Sequence, residues 1–497
     1  MKNKIIRSIL CLLVAAMLLT CFAGCKKDNE GKESNESTVT TKGGDGIHDA
    51  NGYLLDALPD ELDYGGTDIR ILGWQSEVTE FEAVDPDRMT IDESIYNRNA
   101  SIEARLNVNL VFDLTVAGHN ALKTEYAQHV ERSISSDSPY DIIAAHTGSI
   151  TTCAINGLMR DLGSLESSYL DFEKPWWNSD IIEQSRVGNT FFFCTGDAST
   201  SFAQMIYCVY FNVDMLNSLK LTSPYELVEN NEWTYETMMM MCRNIYNDNN
   251  DSQTVDLQDT IPFIGQYYDW PALLEGCGIR FVEKDVSGAF KLTNEIRGEK
   301  SINVMEELAN LVQLDGGYVG NDDDLTSHFK SGESLFYLVQ SGAAARWSFA
   351  GTGFDYGCVP IPKFDADQTE YRCAVRKPIS LFGMPIGSAL ERYEMLTAVL
   401  ECYGSEGYRQ TTPVIFEQVM KYQKSSSGQM TQMLVLIRDS ACFDVGRLYS
   451  SHIGSLCDMP GYMLRDGTPW ENYINQTMPQ VENLLDKLSD TLISVAN

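Results

Sequence analysis

The sequence predicts an α/β protein with parallel sheets, divided between two domains. Short apolar runs alternate with segments of helical period. Strands are predicted at residues 68–73, 108–112 and 140–145, and helices at 92–106 and 122–134. Strands that alternate with helices of this length are typical of βαβ units. The length of 497 residues favours two domains over one.

The N-terminus predicts export and a lipid anchor. Three basic residues, Lys2, Lys4 and Arg7, precede an apolar run over residues 9–23 that is short for a membrane span. The motif Phe-Ala-Gly-Cys at residues 22–25 resembles a bacterial lipobox. We therefore expect a signal peptide over residues 1–24 and a lipidated Cys25 that anchors the protein to the extracellular face of the cell membrane. Polar residues 25–62 are expected to form a flexible tether.

Charge and cysteine usage exclude some classes of function. A net charge of -33 repels nucleic acid and anionic lipid, so neither is expected as a partner. Ten cysteines follow Cys25 and none of them forms a C-x-x-C pair, so a zinc or redox motif is not supported. Buried free thiols and disulfides are both compatible with this pattern.

The stretch over residues 202–238 organises the middle of the chain. An apolar run at 205–211 predicts a strand, Asn212 and Asp214 mark its end, and a short amphipathic helix follows. Ser223 and Pro224 mark a turn. Thr234 is predicted to cap the next helix.

This stretch resembles a known family. The pieces YFNVDML, SPYEL and EWTYE at residues 210–216, 223–227 and 232–236 are similar to the "YNKDLF … P … ELV … G-x-WTWDEL" run of the sugar-binding extracellular solute-binding lipoproteins of ABC importers, the maltose-binding-like family 1 type. Further matching segments lie at residues 95–108, 141–143, 157–162, 328–336 and 354–363.

The resemblance implies a two-lobe, periplasmic-binding-protein-like fold. Each lobe is expected to be a mostly parallel sheet flanked by helices, with a cleft between the lobes and hinges near residues 205, 340 and 386. The implied segments are lobe 1 over residues 63–205 and 340–386, and lobe 2 over residues 206–339 and 387–497.

The function implied is capture of a carbohydrate, expected to be an oligosaccharide, by hinge closure and its delivery to an ABC permease. A monomer without catalytic activity or cofactor is expected. Besides a surface sensor subunit with the same fold and no permease, two alternatives stay open. One is a secreted carbohydrate-active hydrolase that uses two carboxylates. The other is a binding protein for a peptide or another non-sugar solute.

Residues just past strand ends are the candidates for ligand contact, because such positions face the cleft in α/β folds. Sugar C–H faces pack on aromatic rings, and hydroxyl groups need polar partners. The candidate ligand-binding residues are Trp74, His146, Asp197, Tyr267, Asp269, Trp270, Arg346 and Trp347.

No metal site is assigned from the sequence. The six histidines form no H-E-x-x-H motif. Residues 247–258 place oxygen-bearing side chains at positions 1, 3 and 5 of a calcium-type loop, but Ser252 replaces the glycine and Gln258 supplies no carboxylate. Whether this loop holds calcium stays open.

Overall fold

A computed structural model describes residues 47–496 apart from 84–89, 137–138, 166, 321, 388 and 424–427. The predicted signal peptide, Cys25 and the first part of the predicted tether lie outside the described residues. Within the described ranges, no helix combines the length and the apolar character that crossing a membrane requires.

The first sheet has four strands and is mostly parallel, as predicted. Thr67–Leu72 runs parallel to Val108–Asp113 on one side and to Ile142–His146 on the other. Ser380–Gly383 joins the outer side of Ile142–His146 in the antiparallel sense. The strands predicted at 68–73, 108–112 and 140–145 are thereby confirmed to within a few residues.

The second sheet has five strands and is only half parallel, which corrects the prediction of a mostly parallel sheet. Tyr207–Asn212 runs antiparallel to both of its neighbours, Tyr356–Pro360 and Ser334–Gln340. The parallel part consists of Ser334–Gln340, Ile261–Gln266 and Tyr318–Gly320. Both antiparallel pairs involve Tyr207–Asn212, the strand that follows the first crossing of the chain from the first sheet.

Two short ladders complete the strand pairing: Val282–Lys284 with Phe290–Leu292, and Cys373–Ala374 with Ala441–Cys442. The α-helices are Val78–Phe81, Thr90–Leu106, Lys123–Ile134, Thr147–Ile155, Ser179–Ser185, Thr200–Gln204, Val213–Ser218, Pro224–Glu229, Tyr235–Cys242, Pro271–Gly276, Glu299–Gln313, Asp322–Ser331, Ala343–Arg346, Tyr393–Glu406, Thr412–Met420, Gly428–Asp439, Val445–Leu448, Met459–Asp466 and Trp470–Ala496.

Local sequence explains the elements of residues 202–238. The Asn212 side chain accepts a hydrogen bond from the Met215 N–H and so starts the helix that follows the strand. Ser223 caps the next helix, with Pro224 in its first turn. The predicted cap at Thr234 is confirmed, since its hydroxyl accepts from the Thr237 N–H.

The chain returns to the first sheet later than predicted. The sequence predicts that residues 340–386 belong to lobe 1, but Tyr356–Pro360 pairs with Tyr207–Asn212 in the second sheet, and only Ser380–Gly383 joins the first. The helix Tyr393–Glu406, assigned to lobe 2, packs against Thr90–Leu106 beside the first sheet. The other lobe boundaries stay a prediction.

Part of the predicted tether is packed against the folded body, which corrects its boundary. The Asp56 carboxylate is fully buried, forms an ion pair of 2.7 Å with Arg105 and accepts a hydrogen bond from Ser405. Leu58 is buried, and the Tyr53 ring meets the Tyr408 ring edge to face at 5.5 Å. The low average hydrophobicity of residues 25–62 does not indicate these contacts, because a few well-placed side chains are enough to hold a short segment.

Candidate functional site

A cavity of about 230 Å³ takes its walls from both sheets. His146 ends a strand of the first sheet, whereas Tyr267 and Tyr268 directly follow a strand of the second. The carboxyl ends of these strands therefore meet at the cavity, the usual place for a ligand in α/β folds. The lining residues are His146, Tyr207, Tyr267, Tyr268, Arg376, Lys377, Pro378, Arg447, Asp458 and Tyr462.

Aromatic rings form the wall contributed by the second sheet and its helices. The rings of Tyr267 and Tyr462 stack with centroids 5.4 Å apart, and Tyr268 meets Tyr267 edge to face at 4.8 Å. All three rings are half-buried. They expose apolar surface that suits the C–H face of a sugar ring, and packing between neighbouring rings holds them in place.

The charged groups of the cavity are held in pairs or networks. The Lys377 ammonium forms an ion pair with the Asp458 carboxylate, and Arg447 is paired with the buried Glu275. The Arg376 guanidinium lies 4.6 Å from the centre of the Tyr268 ring and donates to Gln340 Oε1 at 3.0 Å. Such side chains are fixed in position and can still exchange hydrogen bonds with a ligand that carries hydroxyl groups.

His146 presents a fixed tautomer at the cavity. Its Nδ1 accepts a hydrogen bond of 2.9 Å from the Gly148 N–H, so His146 caps the helix Thr147–Ile155. Burial, followed by the nearby Lys377 charge, lowers the pKa of His146 to about 3. The ring is therefore neutral near pH 7, and its proton resides on Nε2, which becomes a hydrogen-bond donor.

Only two of the eight predicted ligand-binding residues, His146 and Tyr267, line this cavity. Asp269 follows the tyrosines but is buried, and its carboxylate accepts a hydrogen bond of 3.3 Å from the Gln340 side chain.

The two tryptophans predicted to face the cleft from positions near strand ends, Trp74 and Trp270, are buried. Trp74 is 2% exposed and donates its indole N–H to the Ser380 hydroxyl at 2.9 Å. Trp270 is 0% exposed and donates to the Gly265 carbonyl at 3.1 Å. Both indole N–H groups are satisfied inside the protein, so both residues act as packing residues.

Asp197 forms an internal ion pair and does not line the cavity. Its buried carboxylate accepts from Arg438 Nε at 3.1 Å and from the Thr412 hydroxyl at 2.7 Å. Arg438 also donates to the Pro175 carbonyl. The contact joins helix Gly428–Asp439 to the segment after residue 195.

Arg346 and Trp347 lie at another contact between the sheets. Arg346 follows the strand Ser334–Gln340 and approaches the Glu77 carboxylate to 3.7 Å, while Glu77 follows the first strand of the first sheet. Burial raises the pKa of Glu77 to about 6, and the Arg346 charge opposes that rise. Trp347 is half-buried beside Arg346.

Most of the residues that line the cavity are absent from the eight predicted ligand-binding residues. Tyr207 belongs to an apolar strand, and Tyr462 belongs to a helix that no ligand motif marks. Arg376 and Lys377 form a basic pair just before Pro378, which was the one available signal in that segment. The remaining members are far apart in sequence, and folding alone brings them together.

No group of three or more His, Cys, Asp or Glu side chains in the described ranges is arranged to hold a metal ion. In the calcium-type loop, the Asp248 carboxylate accepts hydrogen bonds from the backbone N–H groups of Asn250, Ser252 and Gln253. The ten cysteines after Cys25 are all buried and free.

Comparison with known proteins identifies the fold. No protein-family model matches the chain, and no curated protein matches its sequence. Among solved structures, a cyclo/maltodextrin-binding protein complexed with maltotetraose is similar at a TM-score of 0.55 and 11% identity, over 84% of this chain and 98% of that chain.

Two further structures agree. A family 1 extracellular solute-binding protein from Bifidobacterium longum subsp. infantis has a TM-score of 0.53 at 12% identity, over 86% of this chain and 100% of that chain. The chain has the two-lobe fold of these solute-binding proteins. UgpB from Mycobacterium tuberculosis in complex with glycerophosphocholine has a TM-score of 0.50 at 14% identity, over 85% of this chain and 99% of that chain. At such identities the likeness is one of fold.

Proposed function

We propose that the protein is an extracellular solute-binding protein that captures a neutral carbohydrate between its lobes and passes it to an ABC permease. One observation carries the proposal: a cavity walled by both sheets combines three half-buried tyrosine rings with polar groups whose charges are already paired. A ligand with C–H faces and many hydroxyl groups uses both features. An oligosaccharide is the expected form of the ligand.

Paired charges favour a neutral ligand over an acidic one. The Lys377 charge is balanced by Asp458, and the Arg447 charge is balanced by Glu275. A carboxylate entering the cavity would compete with these internal partners and would be desolvated in doing so. Neutral hydroxyl groups avoid that cost.

The proposed mechanism is closure of the lobes around the sugar. A ligand that touches His146 on one side and Tyr267 on the other binds the closed form better than the open form, and so shifts the equilibrium towards closure. A permease that recognises the closed form would then accept loaded protein. The lipid anchor at Cys25 would keep the protein at the membrane.

Two other functions make different predictions. A glycoside hydrolase needs two carboxyl groups about 5 to 9.5 Å apart, one to protonate the leaving oxygen and one to attack or to activate water. Asp458 is the one carboxylate among the residues found to line the cavity in the described part of the chain, and it is paired with Lys377. A non-sugar solute is the second alternative, and the fold accommodates one in the UgpB complex with glycerophosphocholine.

A thermal-shift and calorimetric screen of a soluble form that begins at Lys42 tests the proposal. Neutral mono- and oligosaccharides, uronic acids, peptides and glycerophosphocholine would be compared, because a ligand raises the melting temperature by mass action. A neutral sugar that binds and is recovered intact supports the proposal. Cleavage of the sugar, or binding only of a peptide or glycerophosphocholine, would contradict it.

A further inference from the structure

A second cavity, of about 280 Å³, lies elsewhere between the elements that connect the two sheets. One wall comes from residues 175–180, which precede the first crossing between the sheets. The other comes from Glu370, Tyr371 and Arg372, just before the return crossing, and from residues 438–442. Its surface is mainly polar, so a polar occupant suits it.

The same two crossing segments line both cavities. Phe202 and Arg372 face the second cavity, whereas Tyr207 and Lys377, each five positions further along, face the first. Between the cavities the segments are bonded to each other, because Arg376 donates its backbone N–H to the Met205 carbonyl at 2.9 Å and Ile206 forms a β-bridge with Val375. The two cavities therefore share two segments whose backbones are hydrogen-bonded to each other.

Most charged groups of the second cavity are already engaged. Asp180 accepts the Phe443 N–H at 2.6 Å and the Gln184 amide at 3.3 Å. Asp439 is paired with Arg438, which is also paired with the buried Asp197 behind the wall. Glu370 is exposed at the rim.

Two donors of this cavity are not engaged. Among the described residues, the half-buried Arg372 guanidinium has neither a hydrogen bond nor an ion pair, and Asp180, Glu275 and Asp444 act on its charge only from a longer distance. The Tyr371 hydroxyl is buried without a hydrogen-bond partner. A buried polar group without a partner is unfavourable, so a ligand that satisfies it gains affinity.

We propose that this cavity is a second ligand site, in which Arg372 and Tyr371 bind the carboxylate of a small molecule. A guanidinium holds a carboxylate through two parallel N–H···O bonds, and a phenol can donate a third. Because the crossing segments are shared, occupancy here also changes the mobility of the walls of the sugar cavity. Binding of a carboxylate at this site does not depend on the proposed sugar function. The effect of that binding on the walls of the sugar cavity concerns the same two lobes.

Succinate is a suitable probe, with succinamide as a neutral control of the same shape. Trp176 and Trp177 line the cavity, so tryptophan fluorescence reports binding and calorimetry gives the affinity. We expect succinate to bind, succinamide not to bind, and Arg372→Gln to weaken succinate by at least about tenfold through the lost charge-assisted bonds. Arg243→Gln, at an exposed helix end outside the cavity, is the matched control.

Hydrogen exchange tests the linkage without any sugar. Succinate should slow backbone exchange in residues 205–212 and 373–380 of the native protein and leave the Arg372→Gln variant unchanged. The site proposal is overturned if succinate does not bind, if succinamide binds equally well, or if Arg372→Gln binds succinate as the native protein does. The linkage is overturned if succinate binds and exchange in these segments does not change. A failure to find a sugar ligand would contradict the proposed function, but it would not affect the results on succinate binding and hydrogen exchange.

Discussion

The carboxyl edges of the two sheets carry aromatic residues of opposite character. At the edge of the first sheet, Trp74 is buried and its indole N–H bonds to Ser380, whose hydroxyl in turn donates to the buried Glu80 carboxylate at 2.7 Å. At the edge of the second sheet, Tyr267 and Tyr268 are half-buried and line the cavity. At the first edge the aromatic ring is buried in the core, whereas at the second edge the rings are partly exposed in the cavity.

The difference shows that position after a strand does not by itself indicate ligand contact. Trp270 lies only three residues beyond Tyr267 and is fully buried against Phe263, with ring centroids 5.1 Å apart. An indole with a satisfied N–H and no exposed face has nothing left to offer a sugar. A tyrosine that keeps part of its ring exposed does.

The largest expected effect is a loss of stability when the buried tryptophan at the edge of the first sheet is removed. Trp74→Ala should lower the free energy of unfolding by about 3 to 5 kcal/mol, because it removes a large buried ring and leaves a cavity. The sugar affinity of the protein that remains folded should change little. Urea denaturation and calorimetry measure the two quantities, and Trp74→Phe serves as a milder variant if the alanine protein does not fold. A loss of affinity with unchanged stability would place Trp74 at the ligand and so break the comparison.

The second edge should show the reverse pattern. Tyr267→Ala is expected to weaken binding of the sugar identified in the screen by about ten- to a hundredfold, since a well-placed aromatic contact contributes about 1 to 3 kcal/mol. The unfolding free energy should fall by less than the Trp74 variant shows, because the ring is half exposed. Tyr96→Ala is the control, as this ring is 57% exposed on a helix outside the cavity. Equal sugar affinities for the Tyr267→Ala and Tyr96→Ala proteins would show that Tyr267 does not contact the ligand.

A smaller, pH-dependent effect is expected at His146. Its pKa in the folded protein, lowered to about 3 by burial, lies below the usual value of 6.5. The unfolded chain therefore binds the extra proton first, and the stability contributed by the neutral ring is present above pH 6.5 and is lost as the pH falls. The slope for one proton is about 1.4 kcal/mol per pH unit.

His146→Asn keeps a capping side chain without a titrating ring, so between pH 6.5 and 5 it should lose about 2 kcal/mol less stability than the native protein. Urea denaturation at several pH values measures the difference, with His48→Asn as the control. If stability falls equally with pH in the native and His146→Asn proteins, the pKa of His146 is not lowered in the folded protein. The sugar affinity of the native protein should stay constant from about pH 5 to 8, because the ring remains a neutral donor throughout that range.

Local patterns in the sequence were sufficient for the elements and for the general fold class. The period of apolar residues predicted the strands of the first sheet, and a single threonine at position 234 predicted a helix start that the structure confirms. Trp233 and Trp470, which lie at or just before helix starts, are buried and donate their indole N–H groups to backbone carbonyls of distant segments. The strand period and the Thr234 cap depend on neighbours within a few residues, whereas the burial of the two tryptophans depends on distant parts of the chain.

Tertiary structure alone decided which side chains share the cavity and where the chain crosses between the sheets. His146, Lys377 and Tyr462 are separated by many intervening residues, and no local pattern predicts that they meet. The return of the chain to the first sheet at Ser380–Gly383 depends on strand pairing, which is a long-range choice among several edges. Likewise, the burial of Trp74 beside the exposure of Tyr267 depends on what packs above each strand end. The sequence by itself determined which elements form, since the periods and caps that mark them are local, whereas the site is a property of packing between distant parts of the chain.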